Sequence, residues 1–224
     1  MDKIHSVKSR LTFSRKYEKM ILTGEKMIKD TLALMHSLKG FASPKSKLTR
    51  MVKAGEWIQI RRGLYISEDD KTSPHLLAPM IYGPSYLSFE FALSYHRLIP
   101  ERPQSFLSAT YDKNKQKVFH TCFGDYYYWN IPALAYPKGI LLEKEVEFPF
   151  LIASPEKALC DSVYKLHRKG KKINIQSLLL EDWRIEWESL KGLNQELISL
   201  LAPLYHKRIV IDLSNWIKNE VTHA

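Results

Sequence analysis

The sequence predicts an α+β chain in two parts, a basic helix-and-hairpin module over residues 1–70 and a mixed α/β domain over residues 71–224. Three observations carry this reading. The net charge is +10, yet residues 1–66 hold 15 Lys and Arg against 5 Asp and Glu, while residues 67–224 hold 19 against 19. A segment of helical periodicity at residues 44–55 runs directly into two short β-favouring runs. After residue 85, further short strands alternate with helical patterns. At 224 residues the chain is long enough to bury a substantial core.

Along the first part, Ser14 is a candidate N-cap for a helix carrying Tyr17, Met20 and Ile21, and Gly24 weakens or interrupts it. A second helix is expected over residues 25–38, with Ile28, Leu32 and Met35 on one face and a stop at Gly40. Ser43-Pro44 then opens a third, because the hydroxyl can cap and proline suits the first helical position. This helix reads KSKLTRMVKAG and ends at Gly55. Its spacing puts Leu48, Met51 and Val52 on one side and Ser46, Thr49, Arg50 and Lys53 on the other, flanked by Lys45 and Lys47. Trp57–Ile60 and Leu64–Ile66 favour strands and are separated by Arg61-Arg62-Gly63, which predicts a hairpin with a basic tip. Together these elements predict a winged helix-turn-helix.

The acidic, polar run SEDDKTSP at residues 67–74 marks the boundary. Beyond it, residues 85–89 form a short β-like run that enters a helix at about residues 89–97. Strands are expected over residues 104–110, 117–123 and 126–131, the last two joined through Gly124-Asp125. Residues 139–142 and 146–152 add two more. Ser154-Pro155-Glu156 opens a helix to about His167, and helical patterns around Leu178, residues 193–204 and residues 209–221 follow.

Several function classes are disfavoured. Uninterrupted apolar stretches such as residues 148–153 fall far short of the roughly 18–20 residues of a membrane span. The first 13 residues carry scattered Lys and Arg without an apolar segment, so no secretory signal is expected. Cys122 and Cys160 form no CxxC pair, and two buried thiols in a reducing cytoplasm are expected. The eight histidines show no HxxxH spacing, and no Walker-type loop or GxGxxG occurs, so neither metal nor cofactor is expected. Cys160 and His167 lie seven residues apart on one helix, roughly 10 Å along its axis and too far for proton transfer. Glu156 and Asp161 are the carboxylates from which a nucleic-acid-cleaving enzyme would be built. Glu156 instead suits a helix first turn. Asp161, four residues from Lys157 and Lys165, reads as part of a solvated ion-pair ladder. The run Tyr126–Trp129 reads as alternating core residues of a strand. Catalysis is not expected.

The features that carry chemistry are the basic helix and the hairpin tip. A helix fits the major groove of B-DNA and a wing can follow the adjoining backbone. Arg50 is the candidate base reader, since its planar fork can grip guanine at two points. Ser46 and Thr49 share its face. Lys45, Lys47, Lys53, Arg61 and Arg62 suit phosphates, which supply affinity without sequence information. Double-stranded operator DNA is the expected partner, with paired binding to inverted repeats plausible for such modules.

Three segments, GEWIQIRRGLYI at residues 55–66, YGPSYLSFEFALSYHRLIPE at residues 82–101 and FLIASPEKALCDSVY at residues 150–164, together resemble the AbiEi family of antitoxins. The resemblance covers residues 43–164. It implies an N-terminal winged helix that represses its own operon and a C-terminal α/β antitoxin domain. It also implies a functional opponent, a nucleotidyltransferase-like toxin of the AbiEii kind, without requiring that the two proteins touch. The family's wing falls on residues 57–66, its signature serine and following helix on residues 88–95, and its post-sheet phrase on residues 154–161. Arg97 stands where many relatives have glycine, which bears on the turn there. The alternatives are a stand-alone winged-helix regulator whose second domain senses a ligand or dimerises, and a nucleic-acid-acting enzyme.

Overall fold

The structure is a computed structural model that describes residues 28–68, 72–113, 115–144, 148–168 and 172–221. The fold is α+β. The chain divides into two compact units, residues 1–72 and residues 73–224. The helix expected to begin at Ser14, and the start of the one expected at residue 25, lie outside the described residues.

In the first unit, β1 (Lys29–Asp30) leads at once into α1 (Thr31–Ser37). Asp30 turns the chain, its Oδ1 accepting the Ala33 N–H at 2.7 Å as an N-cap. The helix is therefore shorter than the expected 25–38, because residues 29 and 30 pair with a strand instead. Next, α2 (Pro44–Lys53) begins where Ser43-Pro44 predicts. The Ser43 hydroxyl donates to Ser46 Oγ at 2.9 Å rather than capping the backbone. Gly55, at φ +82°, lets the chain leave the helix in a left-handed turn.

The hairpin follows as β2 (Trp57–Arg61) and β3 (Leu64–Ser67), antiparallel, with β3 central between β1 and β2. Gly63, at φ +86°, occupies the turn position that only glycine adopts without strain, and a register shift lies between Gln59 and Arg61. A small core of Leu34, Leu38 and Leu48 is completed by Met35, Met51, Val52, Trp57 and Tyr65.

The second unit is built on a six-stranded sheet of order β6-β7-β5-β4-β9-β8. The strands are β4 (Ser85–Leu87), β5 (Phe106–Thr110), β6 (Lys117–Thr121), β7 (Gly124–Asn130), β8 (Ile140–Lys144) and β9 (Pro149–Ala153). The β4–β9 and β5–β7 pairs are parallel and the remaining pairs antiparallel. The β6–β7 turn falls at Cys122-Phe123, two residues before the expected Gly124-Asp125, because Thr121 already faces Gly124 in register. Tyr126 and Tyr128 point inward and are fully buried, as their alternation predicts. Their hydroxyls donate to the carbonyls of Pro74 and Ala78. Those carbonyls belong to α3 (Pro74–Ile81), a helix that the boundary reading of residues 67–74 did not anticipate.

Two strand-to-helix junctions sit at the centre of this unit. Ser88 links β4 to α4 (Phe89–Tyr95), and Ser154 links β9 to α5 (Pro155–Arg168). Helix α4 packs on β5 and α5. Helix α5 also meets β9, α8 (Gln195–Leu201) and α9 (Arg208–Trp216), so it is covered on nearly every side. Short helices α6 (Ile175–Ser177) and α7 (Trp187–Lys191) complete the unit. Among the described residues, no helix is long and apolar enough to cross a membrane.

Candidate nucleic-acid interface

Helix α2 sorts its side chains by face. Leu48 is buried and Met51 and Val52 pack against it, while Lys45, Ser46, Thr49, Arg50 and Lys53 are all exposed. Five of the six helical residues singled out from sequence thus share one solvent-facing arc. Lys47 lies at its border, half-buried, with its ammonium 5.3 Å from the centre of the Phe41 ring.

The hydroxyls on this arc are engaged locally. Ser46 Oγ receives the Ser43 hydroxyl, and Thr49 Oγ1 donates to the Lys45 carbonyl at 3.0 Å. Among the described residues, no carboxylate pairs with Lys45, Arg50 or Lys53. The strongest groups this face can offer a ligand are therefore three cations, one of them a planar fork.

At the hairpin tip the two arginines differ. Arg62 is exposed. Arg61 is half-buried, and its Nη1 donates to the Arg62 carbonyl at 2.8 Å, so it braces the turn as well as adding charge. Lys29, on β1, places its ammonium 5.7 Å from the Trp57 ring centre. Sequence reasoning missed β1 because a two-residue strand leaves no periodicity.

The expected ion-pair ladder on α5 is not solvated. Lys157 and Asp161 are wholly buried, 3.2 Å apart. Asp161 Oδ1 accepts the Tyr205 hydroxyl at 2.6 Å, and Oδ2 accepts those of Ser88 at 2.7 Å and Tyr86 at 3.0 Å. Lys157 Nζ donates to the Tyr205 hydroxyl and to the Ala135 carbonyl. Lys165 does not join Asp161 but pairs with Glu90 of α4. Glu156 is buried too, its oxygens taken by the Ser154 hydroxyl and the Asn194 N–H. Glu156 and Asp161 are thus both saturated by the chain's own donors. The row is not solvated because Tyr86, Ser88, Glu90 and Tyr205 cover the face of α5 that carries it.

Cysteine exposure also departs from expectation. Cys160 is buried, but Cys122 is exposed at the β6–β7 turn. Burial pushes the Cys160 thiol up to about 12, against a smaller lowering by Lys157. Burial, reinforced by the Asp161 charge, raises Tyr86 and Tyr205 well above their usual value near 10. Through these groups stability is fully present below the unfolded values, near 9 for the thiol and 10 for the phenols. Above them the unfolded chain releases protons that the folded chain retains, so stability falls as pH rises. Urea midpoints should therefore decline steadily above pH 9, and Tyr205→Phe should reduce that decline. A flat profile up to pH 11 would show that these hydroxyls and this thiol are not sequestered.

No protein-family model matches the sequence, and no curated protein matches it. Among solved structures, the chain is similar to the crystal structure of the RV2827C protein from Mycobacterium tuberculosis. That likeness spans 94% of this chain and 77% of the other at a TM-score of 0.58, with 11% sequence identity. At that identity it speaks for a common fold.

Proposed function

We propose that this chain is a DNA-binding autorepressor and antitoxin of the AbiEi type, acting in the cytoplasm on its own promoter and against a nucleotidyltransferase-like toxin. The observation that carries the DNA half is the exposed arc of Lys45, Thr49, Arg50 and Lys53 opposite buried Leu48, followed directly by a hairpin tipped with Arg62. This is the order of parts in a winged helix-turn-helix, with α2 as recognition helix. The whole chain's excess positive charge equals that of residues 1–66, which suits polyanion binding by this part. Arg50 reads base edges, and Lys45, Lys47, Lys53, Arg61 and Arg62 hold phosphates.

The antitoxin half rests on the resemblance of the three segments. Two of them contribute to one buried cluster: Tyr86 and Ser88 come from the second, Lys157 and Asp161 from the third. A second reading, a stand-alone regulator whose larger unit senses a ligand, is favoured by an arginine-lined cleft in that unit.

Gel-shift titration with the chain's own upstream region should give a retarded band that weakens steeply with salt. Absence of any band in dilute buffer would overturn the DNA reading. Co-expression with the adjacent gene should rescue a growth arrest which that gene causes alone. Failure of the full chain to rescue would remove the antitoxin role and leave DNA binding standing.

A further inference from the structure

The second unit contains an open cleft of about 570 Å³, within the range of small-molecule sites. Arg97, Arg102, Arg184, Glu186, Ser94 and Pro100 line it. Arg184 is paired with Glu101. Among the described residues, Arg97 and Arg102 have no carboxylate partner, although both are exposed at the rim. Three guanidiniums against Glu101 and Glu186 leave the cleft positive.

Two of the arginines stand just past helix ends, Arg97 after α4 and Arg184 after the helical turn Leu178–Asp182. Arg97 lies at φ +60° and Arg184 at φ +50°, both in the left-handed region that glycine adopts freely and other residues rarely do. At two positions where glycine would be conformationally easier, the chain carries arginine, and both side chains line the same cavity. In each case the left-handed residue ends a helix, and the turn it makes brings the arginine to the cleft.

From the cleft and its arginines we infer a binding site for a nucleoside polyphosphate. The planar forks of Arg97 and Arg102 can each grip phosphate oxygens through two N–H bonds, with Arg184 as a third donor. The volume exceeds what a phosphate alone needs, and Pro100 offers an apolar surface for a base. Glu186, an acceptor within a cationic rim, suits a ribose hydroxyl. The lining of this site belongs wholly to the second unit, and the inference does not rest on the DNA reading.

Calorimetric titration of the full chain with ATP, inorganic triphosphate and adenosine, without divalent metal, tests the assignment. ATP should bind saturably, triphosphate more weakly, and adenosine not detectably. Arg97→Gly combined with Arg102→Ala should weaken ATP by at least about tenfold. The glycine keeps the backbone at positive φ, so the thermal midpoint should hold. Lys45→Ala combined with Arg50→Ala, on the first unit, should leave ATP binding unchanged. Should the double cleft variant misfold, Arg102→Ala alone, at an exposed position, should still weaken ATP. The site is overturned if ATP gives no saturable heat at millimolar concentration, if adenosine matches ATP, or if the cleft variants bind like the parent chain.

Discussion

Asp161→Ala should lower the stability of the second unit by about 3–5 kcal/mol, the usual cost of leaving a buried charge without its partner. For a unit of this size that corresponds to a loss on the order of 10 °C in thermal midpoint. The magnitude follows from what the carboxylate satisfies at once. Without it, the Lys157 ammonium keeps only the Tyr205 hydroxyl and the Ala135 carbonyl, and the hydroxyls of Tyr86 and Ser88 lose their acceptor. None of these groups can turn to water, because Lys157, Ser88 and Tyr86 are fully buried. Ser88→Ala deletes one donor while two others still serve Asp161, so it should cost only about 1 kcal/mol. Circular-dichroism melts rank the variants. An Asp161→Ala midpoint within 2 °C of the parent would show that the cluster does not hold the unit together.

The largest functional effect should come from Lys45→Ala, Lys53→Ala and Arg62→Ala combined. All three are exposed, so their removal leaves the small leucine core of the first unit intact. On the DNA reading each neutralises one phosphate, worth about 0.9 in the slope of log affinity against log salt. The triple variant should thus flatten that slope by about 2.7 and bind all sequences more weakly. Arg50→Ala should behave differently, relaxing discrimination at one base pair by about 1–3 kcal/mol with a smaller change in slope. Competition gel shifts with operator and random duplex separate the two. If the triple variant kept the parent's slope, α2 and the hairpin would not be where the duplex lies.

Local chemistry made much of the fold readable. Ser43-Pro44 and Gly55 bracket α2 because proline and glycine act through their own backbone. The β2–β3 hairpin was legible for the same reason, through Gly63. The exposed, basic face of α2 followed from a contrast between apolar and charged residues that is a simple function of spacing. What stayed hidden depended on distant parts of the chain.

On α5, Lys157, Asp161 and Lys165 stand at intervals of four, the spacing of a solvated row, yet all three are buried. A contrary signal was present, since Ala158, Leu159, Cys160, Ser162, Val163 and Tyr164 leave the helix almost no polar face. Its partners Tyr86, Ser88 and Tyr205 lie 75, 73 and 44 residues away, beyond any local pattern. Helix α3 was obscured by the neighbouring acidic stretch and by Pro79 within it. The Arg97 turn could be noticed as unusual, but its left-handed backbone belongs to the structure.

The strand pairings also set a schedule for assembly. In the first unit the described sheet closes between Lys29 and Ser67, over a short length of chain. In the second, Leu87 must wait for Ile152 before the middle of the sheet exists, and Asp161 must wait for Tyr205. Contacts across such spans form slowly compared with local ones. A ribosome would release a finished basic module while most of its neighbour was still an open chain. Nascent chains arrested at increasing lengths should therefore gain protease resistance in two steps, the later one only after the codons for α9 have been read.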